Sequence, residues 1–382
     1  MFSLNLHLFD GDFLIWKNIW KKYIEVCFII LREMVFISIL CLVVFLFFYS
    51  FREYYISELV ISFLPYIWAI LLLFTIYWVI LVWKKIYSKQ WIVPFKIRYS
   101  PFFLILFWIL FFCYSSELTV FYSQNYFVDA LENPIKIMYS NIYKDNTNFS
   151  WIISMIQEEN PDVVMFVEFS DEHEIWLKEF VSENYPYYDK TNWSKIYWGS
   201  VVMSKYPITN FIKDFVQEDS WKYGYFKIEK DGIPYYFYLI HTSSPVSDFD
   251  YQKRNQQLIT IKKDYYQQHE DYREKDAKIV MIGDFNISPW SVFYKRFEKS
   301  FPLLVNITRT QPIFFSWNLA EMLKIHKDFN FLPDWFRNNV WYFPILWSHI
   351  DQAFVSKSLQ VANFKKIHID GSDHDWMVFE IE

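Results

Sequence analysis

Several polar residues stand where short apolar runs stop. Asn141 follows PIKIMYS, Glu168 ends DVVMFVE, His241 follows YYFYLI, and Asp284 and Asn286 follow KIVMIG. His349 and Asp351 open HIDQAFVS, and Asp373 with His374 precede DWMVFEI. Glu168 and Asp373 are hard oxygen ligands suited to Mg²⁺ or Mn²⁺. Asp284 can take a proton from an attacking water. Asn141 and Asn286 can hold phosphate oxygens or a water on the metal. His241 and His374 can donate a hydrogen bond to phosphate or a proton to a leaving oxygen. A carboxylate such as Asp351 beside His374 favours the imidazolium. This inventory suits metal-assisted hydrolysis at phosphorus, which needs no Ser or Cys nucleophile.

The elements that would carry these residues are legible from the apolar pattern. Ile135–Tyr139 reads as a strand and Phe149–Glu159 as a helix with apolar spacing at Trp151, Ile152, Met155 and Ile156. Asn160-Pro161 stops the helix, and Asp162–Phe169 reads as a buried strand, so strand, helix and strand form a βαβ unit. A helix over Trp176–Asn184 precedes strands over Ile196–Ser204, Tyr223–Glu229 and Pro234–His241, with Asp231-Gly232 as a hairpin turn. Tyr251–Gln268 reads as a polar surface helix, Lys278–Gly283 as a core strand and Trp290–Ser300 as a helix. Strands are expected over Ser348–Ser356, Val361–Ile369 and Met377–Ile381, and 318–346 reads as irregular. Mixed strands with interspersed helices indicate an α+β domain of two packed sheets. Strand ends converge in such a domain, so one cleft can collect the polar residues.

The front of the chain is different. The chain has 382 residues, 53% hydrophobic and 23% aromatic, six glycines and a mean hydropathy of +0.05, which excludes a disordered or low-complexity protein. Met34–Phe51, Leu59–Trp83 and Pro101–Ser116 are uncharged apolar runs. A bilayer core of ~30 Å needs about 20 helical residues, so three membrane-spanning helices are expected at about 28–51, 59–83 and 101–122. Residues 1–132 are read as an all-α membrane anchor and 133–382 as the catalytic domain. Lys84, Lys85, Lys89, Lys96 and Arg98 lie between the second and third runs, whereas Arg52 faces Glu53 and Glu58 between the first two. The positive-inside rule then places the N-terminus in the cytoplasm and the catalytic domain outside the cell membrane. All three cysteines, Cys27, Cys41 and Cys113, fall in the front part, so the back domain has no disulfide or zinc-finger spacing. Residues 133–382 hold 27 Lys or Arg against 34 Asp or Glu, a net −7 that disfavours tight nonspecific duplex binding.

The ordered motifs MYSN, PDVVMFVE, GSVVMSKYPI, LIHTSSP, RNQQ, IGDFN, HIDQAFVS and GSDH resemble the endonuclease/exonuclease/phosphatase superfamily over roughly 134–382. The front resembles the hydrophobic anchors of some bacterial membrane-tethered members. The resemblance implies a four-layer α/β/β/α sandwich of two mixed sheets flanked by helices, and a divalent-metal-dependent phosphodiesterase or phosphatase. By position it implies Glu168 as principal metal ligand, with Asn141 and Asp373 in support. It implies Asp284 as the group that orients or deprotonates water, Asn286 as a transition-state phosphate contact, and His241 as a phosphate contact or acid. It implies His374, oriented by Asp351, as a further phosphate contact. Arg254 is read either as a substrate contact or, with Gln257 on the same helix face, as a brace for a loop. His173, His269, His326 and His368 match no motif and are read as structural or surface residues. Departures from the family pattern are Val167, Gln352 and Asp375, the last able to raise the His374 pKa or repel polyanions. The expected partners are a phosphate-ester substrate, a lipid headgroup or nucleic acid, and the bilayer itself, with no obligate protein partner. The alternatives are a nuclease acting on extracytoplasmic DNA or RNA, and a non-catalytic binding module on the same fold.

Overall fold

The structure is a computed structural model. It describes residues 53–63, 66, 69, 73, 76, 80, 126–190, 199–212, 223–269, 277–310, 315–326, 333, 335 and 347–382. The apolar runs at 34–51 and 101–116, and most of the run at 59–83, lie outside the described residues. No helix among the described residues is long and apolar enough to cross a membrane. The chain divides into two compact units, Met1–Phe51 with Leu64–Tyr114 and Arg52–Phe63 with Ser115–Glu382. The second unit holds every described strand and all the polar strand ends.

Fourteen strands are described. In chain order they are β1 Ile135–Asn141, β2 Val163–Phe169, β3 Tyr187–Lys190, β4 Gly199–Ser204, β5 Ile208–Ile212, β6 Tyr223–Lys230, β7 Ile233–His241 and β8 Lys278–Asp284. They continue with β9 Leu304–Asn306, β10 Trp317–Asn318, β11 Trp347–Ser348, β12 Asp351–Ser356, β13 Val361–Ile367 and β14 Trp376–Ile381. The helices are α1 Tyr55–Ile61, α2 Phe149–Glu159, α3 Asp171–Asn184, α4 Asp248–Gln268, α5 Val292–Lys299 and α6 Leu319–Ile325. Two six-stranded mixed sheets result, ordered β13-β14-β1-β2-β4-β3 and β5-β6-β7-β8-β12-β9.

Side-chain alternation explains how the layers pack. Ile135, Ile137 and Tyr139 of β1 share one buried cluster with Tyr235, Phe237 and Leu239 of β7, Val280 and Ile282 of β8, and Ala353 and Val355 of β12. These are every second residue, so this cluster is the seam between the sheets. On the outer face of the first sheet, Met138, Val164 and Phe166 meet Ile152 and Ile156 of α2 and Leu177 and Phe180 of α3. On the outer face of the second, Tyr238, Ile279 and Met281 meet Leu258, Ile261 and Tyr265 of α4 and Tyr294 and Phe297 of α5. The order is therefore helix, sheet, sheet, helix, as the motifs implied.

Local chemistry sets the boundaries. Helix α3 begins five residues before the expected Trp176, because Ser170 and His173 form a reciprocal capping box at its start. Helix α4 begins at Asp248, capped by the Ser247 hydroxyl that accepts from the Asp250 N–H. Asp231 and Gly232 adopt φ of 54° and 76° between β6 and β7, the left-handed pair that a tight hairpin requires. The expected strand 348–356 is broken at His349-Ile350, and the stretch read as irregular contains α6 and one strand residue, Asn318. The short strands β3, β5 and β9 carry too few alternating residues to stand out in the sequence.

Candidate active site

The topology brings the polar strand ends together. Strands β1 and β2 are parallel, as are β7 and β8, so the carboxyl ends of each pair lie side by side. His241 is in register with Asp284. Strand β12 is antiparallel to β8, so its first residue, Asp351, also pairs with Asp284. Strand β14 is antiparallel to β1, which brings the residues just before it, Asp373 and His374, to the end of β1. Asn141, His241, Asp284 and Asp351 continue the inward-facing parity of the seam residues. The seam thus ends in a polar cleft.

Glu168 needs an extra device. By parity it would face α2 and α3, with Val164 and Phe166. It adopts φ of +55°, and the β2–β4 register shifts between Val167 and Phe169. This bulge turns Glu168 towards the cleft and returns Phe169 to the helix face, where it joins that core. Gly283 meets a different demand. A Cβ there would lie 1.9 Å from the Ile240 carbonyl oxygen, so only glycine lets β8 approach β7 just before Asp284.

Asn141 sits at the centre. Its Nδ2 donates to Glu168 Oε1 at 3.1 Å and to Asp284 Oδ2 at 3.2 Å, and lies 3.4 Å from His374 Nε2. Its Oδ1 accepts from the Tyr143 N–H. His241 Nε2 lies 3.7 Å from Glu168 Oε1. His374 stands between two carboxylates, with Nδ1 2.8 Å from Asp351 Oδ2 and Nε2 3.7 Å from Asp284 Oδ2. Tyr139 donates its hydroxyl to Asp351 Oδ1 across the seam. Ser372 ties the last loop to the first strand, donating to the Asn141 carbonyl and accepting from the His374 N–H. Asp373 accepts from the Trp317 indole at 2.8 Å, and His326 Nε2 lies 3.5 Å from the same oxygen.

The electrostatics follow from this arrangement. Burial pushes the Asp284 carboxyl up to about 7, with Asp351 and Glu168 adding to the rise and His374 opposing it. Burial alone would lower the His374 pKa, but Asp351 and then Asp284 outweigh it and hold the imidazole well above its ordinary value. Burial alone would raise Asp373, but His326, His374 and Trp317 hold it below the usual carboxylate range.

Two groups of side chains can be weighed as a cation site. Donor atoms of Asp284, Asp351 and His374 lie within 4.8 Å of one another. There the raised His374 imidazolium already lies between the two carboxylates, so these three suit proton holding. Glu168 is the more open carboxylate. Its side chain is 20% exposed, against 7% or less for Asp284, Asp351 and Asp373. An exposed carboxylate can bind Mg²⁺ through one oxygen while the ion keeps several of its waters.

The remaining predicted residues have defined places. Asn286 adopts φ of +49°; its N–H donates to Asp284 Oδ1 and its Nδ2 to the Thr242 carbonyl. Arg254 is buried, and its guanidinium bonds Asn255, the Asn286 carbonyl and Glu58. Gln257 accepts from the Ser243 N–H, bracing the turn after His241. Asp375 is engaged by Lys366 and His368. Gln352 is held by Asn306 and the carbonyls of Ile287 and His349. His173 and His269 are structural, as expected. His326, which matches no motif, stacks on Tyr143 at 4.3 Å and reaches Asp373, so it belongs to the surroundings of the site. Tyr139 and Trp317 leave no signal beyond aromaticity in an aromatic-rich chain, and His326 adjoins no motif.

The profile of the Endonuclease/Exonuclease/phosphatase family matches residues 138–374, more than half of the chain and the whole span from Asn141 to His374. The chain belongs to the endonuclease/exonuclease/phosphatase family. As the family's name states, its members cleave phosphate esters. No curated protein matches the sequence. Similar solved structures include D. rerio TDP2 complexed with a single-strand DNA product (15% identity, 66% of this chain and 100% of that one, TM-score 0.49). They also include the human Nocturnin catalytic domain with bound sulfate (16%, 67% and 96%, 0.49). A third is Staphylococcus aureus beta toxin with bound magnesium ions (19%, 65% and 99%, 0.45).

Proposed function

We propose that this chain is a membrane-anchored, Mg²⁺- or Mn²⁺-dependent hydrolase of phosphate esters, with its catalytic unit on the outer side of the cell membrane. The observation that carries the reading is Asp284. It is buried, held near neutral pKa, and bonded through Asn141 into the same network as Glu168.

Glu168, with Asn141 and Asp373, would hold the divalent ion, which when bound neutralises phosphoryl charge and polarises the phosphorus–oxygen bonds. Asp284 Oδ2 takes one proton from a water as that water's oxygen attacks phosphorus opposite the leaving group. The bond to the leaving oxygen breaks, and that oxygen takes a proton from His241. His374, kept protonated by Asp351, presents positive charge to the phosphoryl oxygens. Asn286 presents its side chain at the same end of the cleft. Arg254 acts from behind, as a brace for the Asn286 loop.

Among phosphate esters, the reading favours a phosphodiester held in a lipid surface. Three sequence runs suit a bilayer, and the catalytic part carries net −7. Helices α1 and α4 meet through the Tyr55 and Tyr251 rings, 5.8 Å apart. Tyr54, just before one, and Ile56 within it, with Val246, just before the other, and Phe249 within that one, are exposed apolar side chains. The test is a panel run with the full chain in detergent: a phospholipid diester, single-stranded DNA and a mononucleotide, each with Mg²⁺ or with EDTA. Turnover of the lipid diester, lost with EDTA, is expected. Turnover of DNA alone would make the chain a nuclease, and no turnover of any substrate would make it a binding module.

A further inference from the structure

The first two apolar runs are joined by a short segment whose acids, Glu53 and Glu58, enter the sequence reading only as loop charges. In the structure this segment, as α1, belongs to the same compact unit as the cleft. Glu53 sits at the surface, paired with Arg296. Glu58 is buried, and so are both of its partners. Its Oε1 lies 2.5 Å from Arg254 Nη2, and its Oε2 accepts from the Ser291 hydroxyl at 2.8 Å.

Those partners hold the two ends of one turn. Arg254 Nη1 donates to the Asn286 carbonyl at 2.9 Å. Ser291 caps α5, accepting from the Phe293 N–H. The turn from Asp284 to Ser291 carries the base and the phosphate-contacting Asn, and Asn286, whose left-handed conformation suits its residue type, is tied at its carbonyl by Arg254 and at its N–H by Asp284. A buried guanidinium in turn needs a paired anion to keep its geometry. Among the described residues, Glu58 is the carboxylate that meets it.

We propose that Glu58 is a positioning residue of the hydrolytic site: through Arg254 and Ser291 it clamps both ends of the 284–291 turn. The segment between the first two apolar runs thereby completes a site whose other parts lie far along the chain, 233 positions away in the case of Ser291. The inference rests on the reading of Asp284 and Asn286 as site residues.

The test uses the full chain in detergent, with Glu58→Gln, Ser291→Ala, Arg254→Gln and the double variant Glu58→Gln/Arg254→Gln. Glu53→Gln is the control. Because Asn286 is assigned to the transition state, Glu58→Gln should lower kcat by about tenfold or more with KM within about threefold. Ser291→Ala should give a smaller loss, and Glu53→Gln none. The double variant should be no worse than Arg254→Gln alone, since Glu58 acts through Arg254. Hydrogen exchange at the amides of 285–288 should speed up by about tenfold in Glu58→Gln and more weakly in Ser291→Ala. A kcat within twofold of the parent in a folded Glu58→Gln chain would overturn the proposal, as would losses that add in the double variant. If the parent chain has no activity, the hydrolase reading fails separately, and unchanged exchange at 285–288 is then what overturns the clamp. If Glu58→Gln does not fold, Ser291→Ala decides on both readouts.

Discussion

His374 Nδ1 lies 2.8 Å from Asp351 Oδ2, with both side chains closed to solvent. This contact holds the imidazole protonated against the burial that would strip it. Removing the negative charge should therefore change the ring's proton affinity and not only its orientation. In Asp351→Asn the His374 pKa should fall, seen as a titration shifted to lower pH by NMR, and kcat/KM should drop by about 10²-fold or more. A variant with full activity would place His374 outside the chemistry.

Asp284 makes the pH dependence specific. With its carboxyl pushed up to about 7, kcat/KM should climb with pH through that value as the base loses its proton. Stability should run the other way. The folded pKa lies above the ordinary carboxylate value of 3.8, so the contribution to stability is complete below that value and is lost as pH rises through about 7. Asp284→Asn keeps the neutral form at every pH. Its Tm should exceed that of the parent by more at pH 8 than at pH 5, a comparison that differential scanning calorimetry makes directly.

Gly283 tests whether the approach of two strands sets the site. In Gly283→Ala the added methyl meets the Ile240 carbonyl, so β7 and β8 must separate where His241 and Asp284 pair. A loss of about 1–3 kcal/mol in unfolding free energy is expected, with activity falling further than stability alone explains.

Two buried histidines should govern acid sensitivity. Burial holds His173 down at about 4 and His349 at about 3. Both folded values lie below the ordinary 6.5, so the unfolded chain binds protons first and stability falls as pH drops below about 6.5. His173→Gln keeps a capping-box residue at its helix position without the titration. Its Tm should decline less between pH 7 and pH 4.5 than that of the parent.

Much of this site is written locally in the sequence. Asn141, His241, Asp284 and Asp351 each extend an alternating apolar strand by one inward step, so type and parity together forecast a shared cleft. Glu168 shows where that logic ends. Its identity is legible, but the bulge that aims it is a register shift against β4, and register depends on a partner strand that single-strand periodicity does not encode. Arg254 and Gln257 are legible as one helix face, and Gln257 braces the loop as that reading allows. Glu58 is not legible, because its role comes from a tertiary contact between distant segments. Trp317 is hidden for a related reason: in a chain with 23% aromatic residues, one more ring carries little information until something is seen beside it, and His326 is hidden because it adjoins no motif and meets Asp373 only through the fold.

The sharpest test is steady-state hydrolysis of a generic phosphodiester by the full chain with Mg²⁺, comparing the parent with Asp284→Asn at pH 8. Mg²⁺-dependent turnover is expected in the parent, and a loss of about 10³-fold in the variant with the fold retained. Turnover in Asp284→Asn within about tenfold of the parent would contradict the hydrolytic role of this residue, because no buried carboxylate at the end of β8 would then be taking the proton from water.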